Sequence, residues 1–567
     1  MKLHRLLWAA MMVAVLAAAG CGGGSSSPSG SAGTGDSGAS VKKGGLLRIG
    51  TTDGYDSMNP FVAFSAASYV AFTNTYPVLV QYDENFKIEG DWAENGWQTS
   101  ADGLTWTFKV KPGKWSDGQP LTADDAAWTG NTIIKYADGA TGVLAPFLTH
   151  ATKVSAPDPQ TVVITYDKRV SNVLPQLQQF FILPKHIWES HTGNNGKDLK
   201  AFNPAADGPI VGGGSFYVDK YDKKGTTIYK QNPGYYGSQK PNVDAIGIQF
   251  FENSDAMLAS FKSGEIDQMD TVPYLAADDM KKDPKYIVRS GDGTEVRDFG
   301  FNSNPKKTKH RELLDPKVKA AMAMAMNRQE IVDVVFAGYA KPAWSLLTPL
   351  SAPYLNTDLK PETYDIDAAN KALDDLGYKK GSDGIRVVPA TTGQYAEPEH
   401  KMKYEIITPS SLYGVSREFN IIRDGLQQIG IEVTQNSLDG TTAFEEIGAP
   451  DWKYLNFDMM MWDWIGYIDP DFVLSIVQCN QYGSWSDTGY CNAEYDKLYK
   501  EQGVAKSDAE RKDIVWRMQQ ILYDEKPYVQ LVQVDLVTAF QNNWAGFTPP
   551  FLNGLSKRPW VQIGQTG

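Results

Sequence analysis

Ser303 and Lys306 stand three residues apart, the spacing of a serine nucleophile and the lysine that would take its proton. His186, Glu189 and His191 form an HxxExH run with the residue types of a zinc site. Neither makes a working set. The further elements that accompany SxxK in β-lactamases and penicillin-binding proteins are missing, and HxxExH is neither the HExxH metalloprotease order nor its inverse. No GxxxxGK[ST] phosphate loop and no GxSxG elbow follows the N-terminal leader, so P-loop and α/β-hydrolase chemistry have no anchor. The carboxylate pairs Asp124-Asp125 and Asp374-Asp375 are neighbours on expected helices, where adjacent side chains diverge and do not share a proton. They read as solvated faces, and the two histidines as surface residues. The sequence therefore offers no catalytic residues, no metal ligands and no cofactor motif, and the chain is not expected to be an enzyme.

The composition narrows the remaining classes. A formal net charge of -13 over 567 residues would repel nucleic acid and anionic membranes, which excludes both as surfaces to bind. Lys2, His4 and Arg5 precede an apolar run from Leu6 to Ala19 and then Gly20-Cys21, the order of an export signal. The run is too short to span a membrane comfortably, and no later segment approaches the roughly 20 apolar residues a spanning helix needs. Cleavage after residue 20 and acylation of Cys21 are expected, since Gly20-Cys21 after three alanines resembles a bacterial lipobox. Residues 21–44, rich in Gly and Ser, then form a flexible tether. This places the protein outside the cytoplasm, anchored to the cell membrane by an N-terminal lipid, in a periplasmic space or on the outer face. With Cys21 acylated, Cys479 and Cys491 are left, an even number in an exported protein, and are expected to form a disulfide.

The elements that must position any site are mixed α/β. More than one lobe is needed, because a chain this long exceeds what a single core serves. Leu46 to Gly50 reads as a strand. Asp102-Gly103 marks a turn before the alternating strand Thr105 to Val110. Thr122 with Asp125 starts a helix, as does Asp315-Pro316, whose inner face is Val318, Met322 and Ala325. Asn327 with Glu330 recaps a further helix that stops at Gly338. Asp367 to Gly377 is a capped helix on Ala369, Leu373 and Leu376. Phe419, Ile422, Leu426 and Ile429 keep helical spacing up to Gly430, and Ile431 and Val433 begin a strand.

Several runs occur in a fixed order: Gly45-Leu46-Leu47-Arg48 through Asn59-Pro60; Trp115-Ser116-Asp117-Gly118-Gln119-Pro120-Leu121-Thr122-Ala123-Asp124-Asp125; Leu183-Pro184-Lys185-His186; Asn232-Pro233-Gly234-Tyr235-Tyr236; Ser263-Gly264-Glu265-Ile266-Asp267; and Asp469-Pro470. Together they resemble the extracytoplasmic solute-binding proteins of family 5, the oligopeptide and dipeptide receptors of ABC importers. The resemblance implies a two-lobed periplasmic-binding-protein fold of type II with an extra N-terminal lobe, hinged around a ligand cleft. The first lobe would comprise 45–79, 207–298 and 530–567, the extra lobe 80–206 and the second lobe 299–529. It further implies a monomer that closes on a small peptide and delivers it to ABC importer permease subunits.

By position in the family pattern, Phe64, Ser65 and Ala66 would offer backbone groups from the first lobe, and Trp462, Asp463, Trp464, Gly466 and Tyr467 would face them. Trp462 and Trp464, spaced i, i+2, belong on one strand face, which leaves open that one of them is core. The peptide receptors carry an aspartate for the ligand's amine where this chain has Gly466. Either Asp463 substitutes, or the solute is an oligosaccharide or another molecule without that amine.

Overall fold

The run Leu46-Leu47-Arg48-Ile49 buries Leu47 and Ile49 and becomes a strand in the computed structural model, which describes residues 41–566. Cys21, the leader and most of the tether lie outside the described residues. In chain order the strands of the two larger sheets are β1 (Leu46–Thr51), β2 (Gln98–Thr99), β3 (Thr105–Lys109), β4 (Ala151–Asp158), β5 (Thr161–Tyr166), β6 (Phe216–Lys220), β7 (Thr226–Gln231) and β8 (Ala245–Phe250). They continue as β9 (Gln268–Met269), β10 (Tyr286–Phe301), β11 (Ala340–Pro342), β12 (Lys403–Pro409), β13 (Glu432–Leu438), β14 (Met459–Ile465) and β15 (Tyr528–Gln541).

Helices α1 (Ala66–Thr75), α2 (Ala123–Lys135), α3 (Pro316–Met324), α4 (Ile366–Asp375), α5 (Val415–Gln428), α6 (Ala493–Gln502) and α7 (Asp508–Glu525) pack on these strands. Asp315 caps α3 by accepting from Lys317 N at 2.9 Å, with Pro316 in the first turn. Asn327 accepts from Glu330 N at 3.2 Å, as its spacing predicts. Gly430 takes φ +81° between α5 and β13, a conformation that costs glycine nothing.

Most of the fold hangs on one eleven-stranded sheet, ordered β6-β7-β8-β1-β9-β15-β10-β14-β12-β13, with β11 beside β15. β8, β1 and β9 run parallel, and so do β14, β12 and β13. The long antiparallel strands β10 and β15 cross between these two groups. Register fixes which ends meet. Met269, the end of β9, pairs with Ala539, while Ile465, the end of β14, pairs with Glu295. Asp292 pairs with Asp535 and Val296 with Gln533, so β10 bulges at 293–295. The carboxyl ends of both parallel groups therefore converge on the same bulge from opposite directions. Beside the first half-sheet, β2-β3-β5-β4 forms a separate four-stranded sheet, and β2 and β3 make the hairpin expected at Asp102-Gly103.

Strand β14 is buried on both faces, which explains its run of methionines. Met459 and Met461 enter a core with Phe419, Ile422 and Leu426 of α5, whereas Met460 and Trp464 enter another with Val515 and Met518 of α7.

Two sequence expectations need correction. Asp125 is buried rather than solvated, because it accepts from Thr122 N at 3.0 Å, Lys185 N at 3.0 Å and Trp115 Nε1 at 3.3 Å. Asp374 and Asp375 are exposed as expected, and the Asp374 carboxylate also holds the buried guanidinium of Arg386 at 2.7 Å. Helix α4 starts two residues earlier than expected, on Asp365, whose carboxylate accepts from Ala368 N at 2.8 Å.

Candidate functional site

In parallel α/β sheets the crevice outside the strand carboxyl ends is where ligands sit. Here two sets of such ends face each other, so the site is sought between the loops after β1 and β9 and the loop after β14.

The loop after β1 leads to Phe64, Ser65 and Ala66. Ser65 caps α1, its Oγ accepting from Ser68 N at 3.2 Å. The Asp56 carboxylate accepts from Phe64 N at 2.7 Å, Ser65 N at 3.2 Å and Ser68 Oγ at 2.8 Å. Both amides are thus turned inward, and what this segment presents to solvent is the Phe64 ring, 77% exposed. Asp56 escaped the sequence reading, although an acid ahead of a serine cap was a usable signal.

Across the crevice, Trp462 and Trp464 do share a strand face. Trp464 is buried and donates from Nε1 to Asp487 Oδ2 at 3.1 Å, which makes it a core residue. Trp462 is half-buried beside Phe444, ring centroids 6.2 Å apart. Gly466 N donates to Thr294 O at 3.1 Å, tying the end of β14 to the bulge of β10. A Cβ at Gly466 would sit 3.1 Å from Val473 Cγ1, so the place of the family's aspartate is narrow. Tyr467 packs against Phe472 at 5.7 Å, and Phe472 against the exposed Trp485 at 5.4 Å. Burial pushes the Tyr467 hydroxyl up to about 12. Tyr69 of α1 is raised by burial and then by Tyr467 and Asp56, which puts these groups within electrostatic reach of one another.

Trp485 and Asp487 belong to a loop closed by a disulfide between Cys479 and Cys491. Tyr528 Oη donates to Asp487, whose carboxyl is raised to about 7, by burial against those bonds.

Asp463 lies on the opposite strand face from the tryptophans, opposite Arg297 of β10. Arg297 is buried; its Nε donates to Glu295 Oε1 at 2.6 Å and its Nη1 lies 3.8 Å from Glu418 Oε2 of α5. Glu418 is raised to about 7 by burial, against the pull of Arg297. Burial and then Glu295 raise Asp463 to about 6. Asp53, after β1, is open to solvent but enclosed on most sides, and is raised by burial and by Glu295. Asp270, after β9, reaches about 7 through burial and Asp53. The crevice floor is therefore an acidic surface assembled from both half-sheets and the crossing strand. Of its members only Asp463 was singled out from sequence; Glu295 and Arg297, charges inside a long strand, were the signal for the rest.

Among the described residues no group of three or more His, Cys, Asp or Glu is arranged to hold a metal ion, and no helix is long and apolar enough to cross a membrane. Ser303 Oγ accepts from Lys319 Nζ at 2.9 Å, away from the exposed Lys306, and His186 Nε2 lies 2.8 Å from Asp117.

Residues 87–484 match the model of the bacterial extracellular solute-binding proteins, family 5. A protein of Deinococcus radiodurans, provisionally named an ABC transporter-binding protein, is 25% identical over 555 residues, covering 91% of each chain. A Brucella ovis protein, provisionally named an ABC transporter peptide-binding protein, is 30% identical over 340 residues, which are 59% of this chain and 60% of that one. The fold matches the oligopeptide-binding protein AppA of Bacillus subtilis, solved with a nonapeptide, with TM-score 0.76 at 22% identity over 93% of this chain and 100% of that one. With the matched model spanning most of its length and the facing carboxyl ends built as described, this chain belongs to the bacterial extracellular solute-binding proteins of family 5.

Proposed function

We propose that the protein is the extracytoplasmic receptor of an ABC importer, closing two lobes on a short peptide and presenting it to the permease. The observation that carries this reading is the convergence of the two sets of strand carboxyl ends on the bulge of β10. A ligand held there touches both half-sheets, and so biases a two-strand hinge toward closure. The peptide assignment draws on what the relatives' names say they bind.

Lobe boundaries at 45–79, 207–298 and 530–567, at 80–206 and at 299–529 suit a hinge in β10 and β15. Phe64, Ser65 and Ala66 on one side, with Trp462, Asp463, Gly466 and Tyr467 on the other, are the contact residues of this reading, and Trp464 supports them from the core. Acylation of Cys21 would hold the monomer at the membrane and raise its local concentration beside the permease without new contacts. A receptor of this kind needs no catalytic group.

The test is native mass spectrometry of the purified protein mixed with tri- to pentapeptides at micromolar concentration. Retained peptide is the expected result. A protein that releases every peptide but retains an oligosaccharide would overturn the peptide assignment and leave the receptor reading in place.

A further inference from the structure

We infer that the crevice selects solutes carrying a cation, an ammonium or a guanidinium, which is received where Asp53, Glu295 and Asp463 meet. This inference deepens the receptor reading and rests on it. It starts from the topology: the carboxyl end of β1 leads to Asp53, the bulge of β10 carries Glu295, and Asp463 stands one residue pair from the end of β14. Three acids from three elements are thus drawn to one break in the sheet.

Their counter-charge is incomplete. Arg297 is the cation bonded to this group, and its Nε is committed to Glu295. Below it, Glu418 is only 1% exposed and leans toward the same guanidinium, yet Glu418 Oε1 has no hydrogen-bond donor and Arg297 Nη1 has no acceptor within bonding distance. Three of these carboxylates, Glu295, Asp463 and Glu418, share one guanidinium, whose bond reaches Glu295. Buried carboxylates are normally paired or bonded; Glu418 lies too deep for a ligand, so the acceptors open to a second cation with several N–H donors are those of the half-buried Glu295 and Asp463. An ammonium brings three donors and a guanidinium five. Glu295 and Asp463, half-buried above Arg297, are the members a ligand reaches.

The same arrangement explains how a receptor with Gly466 recognises charge. The family's aspartate position is hemmed in by Val473, whereas the acidic floor lies on the opposite strand face. Recognition has moved from the turn after β14 to the crossing strand.

The test compares trilysine with N-acetyl-trialanine amide by calorimetry on the purified protein and on the near-isosteric variants Glu295→Gln and Asp53→Asn, with circular dichroism confirming their fold. The protein should prefer trilysine by at least tenfold at low salt, and the preference should shrink toward unity in either variant. An unchanged preference in both, or none in the unaltered protein, overturns the cation site while peptide binding still upholds the receptor reading. If neither peptide binds, the peptide assignment fails, and spermidine decides the cation site on its own. Spermidine binding weakened tenfold by Glu295→Gln supports it; no spermidine binding, or binding indifferent to that change, overturns it.

Discussion

Arg511 of α7 meets Asp469 through two parallel contacts, Nη1 to Oδ2 at 2.5 Å and Nη2 to Oδ1 at 2.8 Å. The pair is almost fully buried, Gln502 Oε1 accepts from Arg511 Nε at 2.9 Å, and Asn172 Nδ2 approaches Asp469 from another part of the chain at 3.5 Å. It anchors the turn that follows β14 and carries Gly466 and Tyr467. Removing one partner of such a pair strands the other charge, so Arg511→Ala is expected to lower unfolding free energy by about 3–5 kcal/mol. Urea titration measures it. A loss under about 1 kcal/mol would mean that water reaches the pair as it reaches surface pairs.

Stability should rise as pH falls from 7 to 5. Asp270, Glu418 and Asp487 titrate near 7 and Asp463 near 6, against roughly 4 for free carboxyls. Between these values the folded chain holds more protons than the unfolded one, so each step up in pH weakens it. Groups held low by their partners, such as Asp458 and Glu362, act in the opposite sense but only below the ordinary carboxyl range, and Lys319, which burial lowers to about 7, does so only above pH 7. Thermal midpoints at pH 5, 6 and 7 test this; a midpoint climbing with pH across that window would contradict the burial of these acids.

Helix α5 approaches α3 through Gly425, where a Cβ would lie 1.9 Å from the carbonyl of Ala325. Alanine ordinarily improves a helix interior by about 1 kcal/mol over glycine. Here the clash is with backbone, which cannot swing aside, so Gly425→Ala should destabilise by about 1–3 kcal/mol. A stabilised variant in guanidinium titration would show that the two helices can part without loss.

Cys479 and Cys491 are 12 positions apart, and closing a loop of about that length contributes about 3 kcal/mol by restricting the unfolded chain. The paired variant Cys479→Ser with Cys491→Ser should lose stability by about that amount. It should also loosen Trp485, whose fluorescence would become more accessible to acrylamide. Alkylation of either cysteine before reductant is added would refute the bond.

Much of this protein is written locally. The strand at Leu46, the Asp102-Gly103 hairpin, the Asp315-Pro316 helix start and the α5–Gly430–β13 unit each depend on side-chain period, a cap or one glycine, all expressed within a few residues. The ordered runs from Gly45 to Asp469 also sufficed to indicate the family. Sequence could not disclose that Asp125 is buried or that Asp56 occupies the amides of Phe64 and Ser65, because burial and bonding depend on what packs against a residue. The acidic floor lies furthest from local reading. Asp53, Glu295, Glu418 and Asp463 are scattered along the chain and meet only because two sets of parallel strands point their carboxyl ends at one bulge. Electrostatic energy depends on distance in space, and only the tertiary structure sets that distance.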